Sequence, residues 1–331
     1  MKRLPVVVSI AAAVALIAPL FVGHSFVFHI ATQALIWGLL AASWDVLGGY
    51  TRLISFGHAG FLAIGAYTAA LVTLHWGFPL WAGMVMALLM CALVGLCVGF
   101  PALRLKGHYL ALVSLGFGEM VQLVARNWEK LTGGSFGLHD FKGFPQMVQD
   151  PAMQGWVTYL VVVLVCALAL VTMVGITRFT SAGNAFRAIR EDEVLAQSLG
   201  INTTFFKLLA FIVSAAFSGL AGSLYAYQIQ LVSPSLSTVG TSALIVGMVI
   251  FGGIGTIWGA FLGGVLLYLI MEALRFVGVV YNLVAVGLIM MMFVIFLPRG
   301  LAGITWGRGR IQRKDALGAA TPAAAGEGVG D

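Results

Sequence analysis

The chain has 331 residues, of which 60% are hydrophobic and 9% are charged, and a formal net charge of +6. A composition this apolar excludes a soluble enzyme. Lipid offers no water to pair with free backbone groups, so the expected fold is an all-α polytopic membrane protein.

A hydrocarbon core of about 30 Å is crossed by roughly 20 helical residues, and the apolar runs give about ten transmembrane helices. They are expected near residues 5–23, 26–49, 59–75, 80–100, 108–125, 155–176, 207–230, 241–256, 258–275 and 280–297. Lys2 and Arg3 ahead of the first run also fit the start of a cleaved signal peptide, but the run is long and no convincing A-x-A site follows it. The second span carries Asp45, followed by Gly48 and Gly49, with Arg52 within reach for pairing. The third opens on Gly57, His58, Gly60 and Gly65. A glycine-rich break at membrane depth is tolerated only beside protein or a wet cavity, which points to a substrate pathway, whereas small residues at this spacing also serve helix packing. The fifth span holds Glu119. Glycines 252, 253 and 255 interrupt the eighth and ninth spans, and the ninth holds Glu272 with Arg275 three residues on, the spacing of a local ion pair. Acidic groups inside spans are site candidates by default.

Charge fixes the orientation. With the N-terminus inside, all of the 18 Lys and Arg residues except Arg126, Lys130, Lys142 and Arg275 fall on the cytoplasmic side, so both termini are expected there. Basic residues distributed in this way indicate a lipid bilayer rather than nucleic acid. Cys91, Cys97 and Cys166 lie in apolar spans and form no paired framework. Residues 1–306 read as the membrane domain, and 307–331 as a disordered cytoplasmic tail.

Two loops are long: residues 126–154 outside and 178–207 inside. In the inner loop Ala185, Ala188, Ile189, Asp192, Ala196 and Leu199 recur at helical spacing, giving one helical face of mostly small and apolar residues that ends at Gly200, with Asn202 or Thr203 available to cap the next span. Such a face fits a groove on another protein. Lying on lipid also requires an amphipathic face, but this one has little apolar bulk. In the outer loop Thr132, Gly133, Gly134 and Ser135 form a flexible polar turn ahead of Phe136 and Leu138.

The runs WDVLGGYTRLISFGHAGFLAIGAYTAAL (44–71), TGGSFGL (132–138), RAIREDEVLAQSLGINTTFFKLLAF (187–211), FGGIGTIWGAFLGG (251–264) and FLPRGLAG (296–303) resemble, in order and over most of the chain, the permease subunits of ATP-binding-cassette importers for branched-chain amino acids. The resemblance implies a second, related permease subunit, two cytoplasmic ATP-binding subunits and a periplasmic or extracellular substrate-binding protein, working at a bacterial cytoplasmic membrane. It implies that Arg187, Ala188, Ile189, Asp192, Ala196, Leu199 and Gly200 belong to a coupling helix gripped by the ATPase, and that residues 132–135 lie where the binding protein docks. In the wider importer motif an acidic residue stands where this chain has Val194, and Glu193 lies one residue early. Asp45, Gly57, His58, Gly60, Gly65 and Glu119 are the candidates for the pathway. No GxxxxGK[ST] segment occurs, so no cofactor is expected on this chain and ATP would be used by the partner subunits. The substrates implied are Leu, Ile and Val. Urea or a short amide is the nearest rival, and a stand-alone channel or secondary transporter is the rival of a different class.

Overall fold

In a computed structural model the described residues are 25–104, 109–147, 150–275 and a few positions between 287 and 300. The expected first span and tail, and most of the tenth span, lie outside them. The described residues form α1 (Ser25–Thr51), α2 (His58–Trp76), α3 (Leu80–Ala102), α4 (Tyr109–Asn127), α5 (Glu129–Thr132), α6 (Pro151–Phe179), α7 (Ser181–Glu191), α8 (Glu193–Ser198), α9 (Thr203–Ile229), α10 (Val239–Gly252) and α11 (Ile257–Leu274). Seven of these, α1, α2, α3, α4, α6, α9 and α11, are long and apolar enough to cross a membrane.

The expected eighth span is shorter than a crossing. With 14 residues, α10 reaches about 21 Å at 1.5 Å per residue, against a hydrocarbon core of about 30 Å. It stops at Gly252 because the next glycine takes φ 112, outside helical space.

α1 and α9 form the centre of the bundle. α9 packs on α1, α2 and α3, while α1 also packs on α6 and α11. Helices in lipid gain nothing from hiding apolar surface from each other, so close approach of small residues carries the packing. A Cβ on Gly65 of α2 would meet the Cα of Gly219 on α9 at 2.5 Å, and one on Gly264 of α11 would meet the Cα of Gly38 on α1 at 2.8 Å. Interior position follows this pattern: 67% of the spanning window is buried in α1 and α2, but 28% in α3 and α4, whose remaining faces are apolar and turned outward. Trp76, Trp81, Trp128 and Trp156 are exposed at helix ends that the charge-derived topology puts outside, as tryptophans at a membrane interface are.

Candidate functional site

Trp44 and Asp45, consecutive on α1, each hold a non-helical segment of backbone. The Trp44 Nε1–H donates to the carbonyl of Ser55 at 2.7 Å, and Asp45 Oδ1 accepts the Gly255 N–H at 2.7 Å. The first segment joins α1 to α2 and the second joins α10 to α11. Gly48 and Gly49, one turn on, leave room for both side chains: a Cβ on Gly49 would meet Asp45 Cγ at 2.5 Å and the Gly255 nitrogen at 2.7 Å. Other side chains pair the backbone at Phe56 and Gly57. Phe56 N–H donates to Ser114 Oγ at 2.9 Å, its carbonyl accepts from Ser242 Oγ at 2.6 Å, and Gly57 N–H donates to Ser55 Oγ at 3.2 Å. Protein groups thus supply the partners that lipid cannot.

The expected pairing of Asp45 with Arg52 does not form. Arg52 takes φ 56 as it ends α1, and its side chain is exposed. Asp45 is fully buried, and its Oδ2 has no hydrogen-bond partner among the described residues. The basic group beside this site belongs to Arg190 of α7, whose guanidinium lies against Gly255: a Cβ there would meet its Cζ and Nη2 at 2.7 Å. Gly255 also has φ 86, a conformation that glycine takes at little cost. Arg190 and Gly255 were not among the sequence candidates, because only the fold brings positions so distant in sequence together.

His58, at the start of α2, is buried and pairs through Nε2 with Ser214 Oγ at 2.6 Å. Ser214 Oγ donates to the Ser43 carbonyl at 2.6 Å, and Ser43 and Ser218 share a 2.8 Å hydroxyl contact. This polar cluster joins α1, α2 and α9. Gly57 and Gly60 lie against α4, where a Cβ would meet the Ser114 carbonyl at 3.1 Å and Phe117 Cε1 at 3.0 Å respectively. Together with Gly65 on Gly219, the glycines expected to line a pathway are placed at helix contacts. Glu119 is half-buried and makes no hydrogen bond or ion pair among the described residues. Glu272 and Arg275 form the expected local pair, at 3.4 Å. No group of acidic, His or Cys side chains suited to a metal occurs among the described residues.

The inner loop forms two helices instead of one. Asp192 takes φ −155 and ψ 117 and caps the second, Oδ1 accepting from Val194 N–H at 2.8 Å and Leu195 N–H at 3.0 Å. Capping suits aspartate better than a place in a helix interior, so the chain bends at the residue expected to continue the stripe. Gly200 does end α8, at φ 82. Its N–H donates to the Gln197 carbonyl at 2.9 Å and that of Ile201 to the Ala196 carbonyl at 3.1 Å, a Schellman closure. Asn202 caps α9 through Phe205 N–H at 3.1 Å.

The stripe also faces the other way. Ala185, Ile189 and Ala196 are buried on this chain's own helices, with Phe186 against Phe206, while Ala188 is half-buried. A small-residue face suits close packing on a neighbouring helix, and here the neighbours belong to the same chain. The surface left open carries Val194, Leu195 and Leu199, exposed at 73%, 59% and 72%. Behind it α7 and α8 are tied down. Arg187 donates to the carbonyls of Gly183 at 3.2 Å and Thr177 at 3.4 Å, Glu193 pairs with Lys207 at 2.5 Å, and Gln197 Nε2 donates to Thr203 Oγ1 at 2.8 Å.

The outer turn, expected to be flexible, is held by hydrogen bonds. Thr132 Oγ1 donates to the carbonyls of Ala125 at 2.6 Å and Trp128 at 2.8 Å. Gly133, Gly134 and Gly137 all take positive φ. Leu138 and Val232 then exchange backbone hydrogen bonds of 2.8 and 2.9 Å, pinning the turn to the segment after α9. Phe136 is left 88% exposed at the tip, beside Ser135, which is also exposed.

Residues 26–297 match the family described as branched-chain amino acid transport system / permease component. The high-affinity branched-chain amino acid transport system permease protein LivM of Salmonella typhimurium is 36% identical over 298 residues, covering 83% of this chain and 70% of that protein. LivM of Escherichia coli K12 is 35% identical over the same shares, and the LivH permease protein of the same strain is 26% identical, over 83% of this chain and 94% of that protein. No solved structure matches. A helical, multi-pass membrane chain that matches over all its described spans belongs to the branched-chain amino acid transport permease family.

Proposed function

We propose that this permease is one membrane subunit of an ATP-driven importer in a bacterial cytoplasmic membrane, moving Leu, Ile and Val inward with a second permease, two cytoplasmic ATPases and a substrate-binding protein. The observation that carries the reading is the α7–α8 pair: one face locked onto the membrane bundle, the other presenting Val194, Leu195 and Leu199. Apolar side chains held proud on a fixed helical support are suited to a groove on a partner. The names of the relatives support the substrate class.

The geometry gives the coupling a physical form. A push on α8 passes to α9 through the Glu193–Lys207 pair and the Gln197–Thr203 bond. A push on α7 reaches Gly255 through Arg190, and from there α1 through the Asp45 bond. α1 and α9 are the central helices, so these two routes would deliver a cytoplasmic displacement to the core. Packed interfaces with discrete arrangements convert such shifts into alternating access.

ATP-dependent uptake of radiolabelled leucine by the reconstituted complex tests the proposal, with this permease alone taking up none. Uptake of urea or a short amide in place of leucine would overturn the substrate. ATP-independent uptake by the single subunit would overturn the coupling.

A further inference from the structure

Three helices bring polar side chains together at the end of the bundle opposite α7 and α8. His29 and Gln33 lie one turn apart on α1 and so share a face. Gln228, at the last turn of α9, donates from Nε2 to His29 Nδ1 at 3.0 Å. α11 contributes Tyr268 and, one turn on, Glu272, with Arg275 at its C-terminal cap, and the Tyr268 ring stacks on Trp37 of α1 at 6.3 Å.

Two features of this cluster call for a ligand. Gln33 is 2% exposed, yet its Nε2 has no partner among the described residues, and neither has the buried Oε1 of Gln228. Glutamine amides left unpaired inside a protein are costly and rare. The Glu272–Arg275 pair is also loose, a single contact of 3.4 Å with the Arg275 side chain 72% exposed and that of Glu272 17% exposed. Guanidinium and carboxylate ordinarily meet closer and in a two-point fork, so each keeps capacity for a second partner.

We propose that His29, Gln33, Gln228, Glu272 and Arg275 form an outward-facing site for a zwitterionic amino acid, the substrate ammonium on Glu272 and its carboxylate on Arg275. The proposal rests on the import reading above and names where its substrate enters. One positive and one negative group of the ligand meet one of each here, so the site stays neutral on binding. The glutamine amides supply a donor and an acceptor for the remaining polar atoms of the α-carbon group.

The test uses the full reconstituted transporter, with E272Q and R275Q in this subunit, and follows two quantities: ATP hydrolysis stimulated by the leucine-loaded binding protein, and leucine moved per ATP hydrolysed. Both variants are expected to keep the stimulation while moving about tenfold less leucine per ATP, the size of one lost charge-assisted hydrogen bond. Q33L, which removes the unpaired amide, is expected to lower transport per ATP without lowering thermal stability. Unchanged leucine per ATP in all three variants would overturn the site and leave Glu272–Arg275 a local brace. Loss of stimulation in the variants, with stimulation intact in the parent, would make this a docking surface for the binding protein and also overturn it. Absence of stimulation in the parent complex would instead remove the import reading on which the site depends.

Discussion

Asp45 is the residue on which the inner end of the bundle turns. It joins α1 to the α10–α11 break by accepting the Gly255 N–H, and the Arg190 guanidinium lies against the same glycine. Replacing Asp45 with leucine strands that N–H in a buried place, at a cost of about 1–3 kcal/mol. D45L is therefore expected to unfold in detergent at a lower temperature than the parent. D45N keeps an acceptor oxygen but loses the charge facing Arg190, and is expected to melt near the parent while transport falls. Equal melting of D45L and the parent would remove the structural role of the bond. The need for a buried partner was legible in the sequence, since a lone acid amid apolar residues must be paired or wet. The partner was not: Arg52 is close in sequence, whereas Gly255 and Arg190 are brought in by tertiary packing. Gly65, a pathway candidate for which helix packing was the alternative, lies against Gly219. G65L forces side chain into backbone there, an overpacking worth about 1–3 kcal/mol, and should reduce the yield of folded protein in size-exclusion chromatography.

At the scale of elements, the α7–α8 pair divides into a face that holds and a face that shows. A196R places a long cation at a position that is 2% exposed, so the expected outcome is loss of stability by thermal unfolding. L195R changes a side chain that is 59% exposed, so stability should be kept and ATPase copurification lost. Similar melting of the two variants would contradict the assignment of faces. Helical periodicity identified the segment and its stop at Gly200, and offered Asn202 or Thr203 as the cap of the next helix, because these are local choices written in a few neighbouring residues. It misjudged direction, since a stripe of small residues marks a close contact without saying whose helix makes it. It also ran through Asp192, where the side chain's competition for backbone N–H groups broke the helix.

For the whole molecule, hydropathy located the seven long apolar helices of the described residues to within a few residues, because roughly 20 apolar residues admit few alternatives in a bilayer. It overextended α10, whose end is set by glycine backbone geometry. The charge asymmetry predicts that a cysteine at Lys142 is labelled from outside by an impermeant reagent and one at Glu191 is not. Labelling of Glu191 from outside would reverse the topology.

The central claim is that the exposed face of α8 carries the ATPase while the opposite end of the molecule does not. The most direct measurement compares, at matched expression, the ATPase retained by the permease pair carrying V194E and L195R with that retained by a pair carrying F136E, a charge placed instead at the tip of the outer turn. The α8 variants should lose the ATPase and leucine uptake with unchanged melting temperature, since an unpaired charge buried at an interface costs several kcal/mol, while F136E keeps the ATPase. Equal retention of the ATPase by both sets would contradict the account.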